Sequence, residues 1–115
     1  MNIHIGLNIT NDTKTRKLHE EFFGDPTTTD TMSFPLNEAT PEGDYYLGDI
    51  VVNYDQLKRQ AAELSIPEKE ELARLIAHSA LHLLGMDDQT LQGSEQMKIS
   101  ENNVLSKLFK KFTRR

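Results

Sequence analysis

A chain of 115 residues with 37% hydrophobic and 27% charged side chains has the size and balance of one soluble globular domain over residues 1–115, which excludes fibrous and disordered classes. No stretch approaches the roughly 18 uninterrupted apolar residues of a membrane span, and the opening MNIHIGLNIT lacks the basic start and long apolar core of a secretion signal, so a cytoplasmic protein without a membrane partner is expected. The net charge of -5 conceals 18 acids against 8 bases in residues 1–103 and five bases with no acid in the last twelve, so a phosphate-bearing partner must be met locally, at that tail or at a bound cation.

In NIHIGLNIT, residues 2–10, Ile3, Ile5, Leu7 and Ile9 recur at every second position and predict a half-buried strand with those four side chains on its inner face. Asp12 or Thr13 can cap a helix through TKTRKLHEEFF, with Leu18, Phe22 and Phe23 inward and Gly24 and Pro26 ending it. GDPTTTD reads as a loop. Met32, Phe34 and Leu36 alternate in DTMSFPL, residues 30–36, which predicts a second strand near a sheet edge or strand end, because Pro35 has no N–H to donate. The turn-rich NEATPEGD closes it. YYLGDIVVN, residues 45–53, is β-branched and aromatic, the strongest strand signal in the chain.

From Tyr54 the spacing becomes helical and stops before Ser65 and Pro67. Pro67, with Glu68, Glu70 and Glu71, then opens a helix at its positive end, and Leu72, Leu75, Ile76 and Leu83 mark it as a central core helix. Gly85 stands where such a helix ends in the left-handed conformation. A last helical pattern covers LQGSEQMKISENNVLSKLFKKF, with a break expected near Gly93 and fraying at TRR. Strands and helices mix without repeats or linkers, so the expected class is α+β, a small mixed sheet packed with helices.

The chain has no cysteine, so a metal could be held only by nitrogen and oxygen donors. HSALHLLGMDD, residues 78–88, supplies them: His78 and His82 lie one helical turn apart on one face, and Gly85 lets the chain turn back so that Asp88 can reach the same point. HxxxHxxGxxD is the ligand spacing of extended zinc motifs and gives a site with two histidines and one carboxylate. The competing reading makes His78 and His82 polar members of a core helix, with Asp87 and Asp88 merely following its end; the ordered glycine and acid favour the metal. His4 reads as a strand residue and His19 as an exposed helix residue. Zinc proteases place a glutamate after the first histidine to take a proton from water, and here that position is Ser79, which argues against peptide hydrolysis by the usual route.

HSALHLLGMDD, together with TDTMSFP at 29–35 and LGDIVVN at 47–53, resembles the YbeY family of bacterial endoribonucleases, the rRNA maturation factors. Three separated motifs occur in the right order, and the resemblance runs from about Leu7 to Leu108. It implies a zincin-like fold with the metal on a central helix and one zinc ion per chain. It further implies cleavage of single-stranded RNA in rRNA maturation and ribosome quality control, with the ribosome or a ribosomal protein as partner.

Three departures stand out. The family's third ligand is usually histidine where this chain has Asp88, its usual arginine ahead of TDTMSFP aligns with Phe23, and the chain is shorter than the family's usual length, so the family's opening strand and helix are not expected in it. Two imidazoles and one carboxylate leave a zinc site at formal charge +1 instead of +2, so its Lewis acidity should fall. Lys14, Arg16, Lys17 or the tail are the available substitutes for the arginine. Ser33 and Asp49, in the other two motifs, either shape the cleft beside the metal or serve a strand end and a turn. The tail KLFKKFTRR alternates Lys107, Lys110, Lys111, Arg114 and Arg115 with Phe109 and Phe112, which suits RNA contact and equally suits a helix docking its aromatics on the core. Two alternatives to the ribonuclease remain: a metal-stabilised ribosome-binding module with little cleavage, and a metalloprotease weakened by Ser79.

Overall fold

A computed structural model describes residues 1–115. Its elements are β1 (Ile3–Thr10), α1 (Asp12–Phe23), β2 (Thr31–Ala39), β3 (Tyr45–Asn53), α2 (Tyr54–Leu64), α3 (Glu68–Leu83) and α4 (Leu91–Leu108). The β-branched run at residues 50–52 occupies the middle strand: the sheet order is β1-β3-β2, with β1 parallel and β2 antiparallel to β3. Pro35 lies on the edge strand opposite Gly48, and the register slips between Pro35 and Glu38. That slip absorbs the missing donor, so β2 continues to Ala39, into the stretch expected to be a turn.

Leu47, Ile50 and Val52 of β3 meet Leu57 of α2 and Leu75 and Leu83 of α3 in the principal core cluster. Full burial of each such side chain contributes about 1.5–3 kcal/mol, and α3 packs against both β2 and β3. The histidine helix is therefore anchored along the sheet, and its polar stripe has a defined direction.

Several expectations are corrected. Ile3, Ile5, Leu7 and Ile9 do share a strand, but they are 60%, 41%, 47% and 54% exposed. β1 is an edge strand, and α3 lies over β2 and β3, so the apolar side of β1 is only partly covered. The cap of α1 is Asn11, whose side chain accepts from the Lys14 N–H at 2.9 Å. Asp12 is used instead for tertiary contacts, accepting from Asn53 at 2.7 Å and from both terminal nitrogens of Arg59 at 2.9 and 2.8 Å. Phe22 and Phe23 do not face inward; they are more than half exposed and pack against Phe34 of β2, Phe22 edge-on and Phe23 tilted, with ring centroids 5.2 and 5.9 Å apart, while Thr15 is the buried residue of the helix.

Gly93 does not break α4, which ends at Leu108, and the residues beyond it do not continue the helix. They fold back along α3: Thr113 donates its N–H to Glu70 and accepts from Arg74, and Arg115 donates to Glu71 at 2.7 Å. Glu70 and Glu71 were expected only to complement the helix dipole. Both are buried, Glu71 completely, and the tail supplies the donors that such carboxylates require.

Candidate metal centre

Helical pitch brings the two rings of α3 together, with His78 Nε2 and His82 Nε2 3.0 Å apart. The chain then reverses at Gly85, whose φ of 95° lies in the left-handed region that glycine tolerates. Gly93 completes the return: a Cβ there would collide with the Asp87 carbonyl oxygen, so only glycine lets the loop lie against the first turn of α4. Thr90 caps that turn, and Asp87 accepts from the Gln89 N–H at 2.9 Å, so Asp87 shapes the loop. Its neighbour Asp88 places Oδ2 3.5 Å from His78 Nε2 and 3.7 Å from His82 Nε2.

The ligand atoms of His78, His82 and Asp88 all lie within 4.8 Å of one another. Bonds of about 2.0–2.2 Å in a tetrahedral shell separate donor atoms by roughly 3.4 Å, close to the spacings seen here. The hydrogen bonds around the rings bear on whether a cation fits. His82 Nδ1 is 3.1 Å from the Met86 carbonyl oxygen and His78 Nδ1 is 2.7 Å from a Glu101 carboxylate oxygen. Both partners only accept, so each Nδ1 carries the proton and each neutral ring presents an Nε2 lone pair. Two lone pairs facing each other beside a carboxylate require a cation, either a proton or a metal ion.

The electrostatics agree. The Glu101 hydrogen bond raises the His78 pKa above its usual value, with burial opposing it and the charges of Glu101, Asp88 and Asp30 adding to it. Burial pushes the Glu101 carboxyl up, but the hydrogen bond and charge of His78 together with Arg74 outweigh that and hold it below the ordinary range. Glu101 therefore stays ionised inside the protein.

A cleft of about 330 Å³ opens on the histidine pair, lined also by His19, Phe23, Asp30 and Ser33. A second recess of about 230 Å³ joins His78 and Asp88 to Lys98, Glu101 and Arg115. A larger apolar groove of about 490 Å³ runs between α3 and α4 along Leu72, Ile76, Val104 and Leu108, away from these polar groups, and is not the site of chemistry. Ser33 lines the cleft and donates to the Ser79 carbonyl oxygen at 3.3 Å, tying β2 to α3. Asp49 is on the face of β3 opposite Ile50, where it accepts from the Tyr46 hydroxyl at 2.6 Å. Ser79 is buried, so no base stands where the zinc proteases have one.

Lys107, Lys110 and Lys111 are exposed, whereas Arg114 stacks on Phe112 at 4.9 Å and Arg115 is held by Glu71. Sequence reasoning missed Glu101 and Asp30, and it took His19 for an exposed helix residue; nothing in local spacing connects these positions to residue 78. His19 is half-buried, with Nδ1 2.8 Å from the Thr27 carbonyl oxygen.

The sequence profile described as Endoribonuclease YbeY matches residues 1–109. The chain belongs to the YbeY family. A protein named Endoribonuclease YbeY from Aquifex aeolicus is 41% identical over 112 residues, covering 95% of this chain and 73% of its own length. Its counterpart from Persephonella marina is 35% identical over 100 residues, covering 86% of this chain and 65% of its own length. The chain thus spans between 65% and 73% of these two YbeY relatives. A solution structure from Thermotoga maritima has the same fold, with a TM-score of 0.58 at 23% identity over 93% of this chain and 71% of that one.

Proposed function

We propose that this chain is a zinc-dependent, single-strand-specific endoribonuclease that acts in rRNA maturation and ribosome quality control, built as one zincin-like domain with its metal on the central helix and working in the cytoplasm. The observation that carries this reading is the convergence of two Nε2 lone pairs and the Asp88 carboxylate on one point. His78, His82 and Asp88 would hold the ion. Zinc, when bound, would supply Lewis acidity toward a phosphate and lower the pKa of water, so that loss of a proton gives the nucleophile for attack on phosphorus.

The surrounding residues have complementary tasks. Phe23 offers an aromatic face on the cleft for an unstacked base, which favours single-stranded over duplex RNA. His19, with Nδ1 committed to the Thr27 carbonyl, keeps Nε2 as the nitrogen that can take up a proton, and it lines the same cleft. Lys107, Lys110 and Lys111 provide exposed positive charge for the RNA backbone.

A second reading, a metal-stabilised ribosome-associated module with little cleavage, is favoured by one observation: Phe23, in the place of the family's usual arginine, leaves the cleft wall without a guanidinium for the phosphate. One experiment separates the two. Zinc content is measured on the purified protein, and the same sample is given an unstructured rRNA fragment with and without chelator. About one zinc per chain, chelator-sensitive cleavage and a chelator-lowered melting temperature support the nuclease. Zinc without cleavage supports the binding module, and no zinc after metal-replete purification removes both.

A further inference from the structure

Glu101 is an expensive residue where it stands. It lies on the buried stripe of α4 between Met97 and Leu105 and is 6% exposed, and its ion-pair partner Arg74 on α3 is 2% exposed. A buried ion pair is seldom more stabilising than apolar side chains of similar volume, because two desolvation penalties oppose the attraction. A pair that served only to join α3 to α4 would have no need of charge. Arg74 also has other acceptors, donating to the Asn102 side chain at 3.0 Å and to the Thr113 carbonyl at 2.9 Å.

The two oxygens of Glu101 divide their work. Oε1 accepts from Arg74 at 3.2 Å, and Oε2 accepts from His78 Nδ1 at 2.7 Å. Arg74, His78 and His82 are spaced by one helical turn each, so the arginine that holds the carboxylate is on the same stripe of α3 as the imidazole it serves. The other imidazole has a weaker support: His82 Nδ1 meets only the Met86 carbonyl, at 3.1 Å.

We infer that Glu101, braced by Arg74, is the positioning residue of the metal centre: by accepting the Nδ1–H of His78 it fixes that ring's tautomer and orientation, so that Nε2 is presented to the ion with an unshared electron pair. The inference rests on the metal reading of His78, His82 and Asp88. An acceptor behind a ligating imidazole, carboxylate or carbonyl, also makes the ring a stronger donor, and loss of such a partner typically costs about 10–100-fold in metal affinity. His78 is thereby the dominant ligand of the pair, and the α3–α4 seam sets how tightly the ion is held.

The test uses two double variants of the full chain, each of which removes the buried ion pair so that no charge is left unpaired. R74M/E101Q keeps a carbonyl acceptor for His78 Nδ1, and R74M/E101L has none. Zinc affinity is measured by competition with a chromophoric chelator, metal-free melting temperature reports the fold, and long-range nitrogen NMR of the zinc-loaded protein reports the His78 tautomer. R74M/E101L should lose about 10–100-fold in zinc affinity, while R74M/E101Q retains most of it and shows His78 protonated at Nδ1 as in the parent. Parent-like affinity in R74M/E101L would overturn the inference and leave the metal centre intact. Equal losses in two folded double variants would also overturn it, since packing and not the acceptor would then be responsible. Absence of zinc from the parent protein would instead bring down the metal reading, and this inference with it.

Discussion

His78 and His82 face each other with Nε2 atoms 3.0 Å apart and ring planes at 80°. Each ring is held from behind at Nδ1, one by Glu101 and the other by the Met86 carbonyl, so neither can turn a proton toward its neighbour while neutral. The contact is unfavourable without positive charge between the rings. A helix of ordinary pitch, two acceptors and a returning loop thus set two imidazole nitrogens and a carboxylate around one point with no unusual backbone in the helix itself.

Asp88 and Asp87 are adjacent but serve different ends, and their alanine variants should separate cleanly. Asp88→Ala removes a charged donor from the cluster, so zinc affinity should fall by more than about 100-fold, beyond the loss typical of an outer partner. Asp87→Ala disturbs the turn at Gln89 and should retain most of the affinity. Chelator competition on both proteins checks this, and the reverse ranking would show that the third ligand is misassigned. Asp88→His, by removing a negative charge from the ligand set, should raise cleavage at neutral pH where chemistry limits the rate.

Phe23 lines the cleft that opens on His78 and His82. Phe23→Arg should leave zinc content unchanged and raise single-turnover RNA cleavage, by up to about 100-fold if the guanidinium reaches the developing charge. An unchanged rate at full metal occupancy would place the limitation in the ligand set. The phenylalanine is more than half exposed, so the substitution should cost little stability.

The basic tail combines two roles that can be measured apart. Arg115→Met leaves the buried Glu71 with Gln60 as its remaining side-chain donor, and stability should fall by about 1–3 kcal/mol. Replacing Lys107, Lys110 and Lys111 by alanine should leave the melting temperature near the parent's. That triple variant should instead reduce the slope of log affinity against log salt by roughly 2 for single-stranded RNA. An unaltered slope would confine the tail to its structural contacts.

Asp12 links α1 to β3 and α2 through Asn53 and Arg59, and the Arg59 hydrogen bonds, followed by that of Asn53, hold its pKa far below the usual carboxylate range. A depressed folded-state pKa contributes stability that is present above the unfolded value near 3.8 and is lost as pH falls below it toward the folded one. Asp12→Asn should therefore melt below the parent at pH 7, and the gap should narrow as pH falls through 3.8. A gap independent of pH would assign the effect to packing and not to charge.

Local chain geometry was enough to read much of this protein. The alternation at Ile3–Ile9, the β-branched stretch at 50–52 and the switch to helical spacing after Asn53 each recover an element, because strand and helix periods are properties of a few successive residues. The meeting of His78, His82 and Asp88 was legible for the same reason: His78 and His82 meet through one turn of helix, and Asp88 is returned to them by six residues of chain hinged on Gly85. Periodicity says which side chains share a face, but not whether anything covers that face. Hence Ile3, Ile5, Leu7 and Ile9 formed their strand and yet are exposed, and Phe22 and Phe23 came to lie outside on Phe34. Only the packing of α4 against α3 decided that Glu101 would stand behind His78, only the path of the chain after Leu108 decided that Arg115 would close over Glu71, and only the placement of α1 beside β2 brought His19 and Phe23 to the cleft. Such contacts join residues far apart in the chain, and they arise from the competition of all apolar faces for partners, which no short stretch encodes by itself.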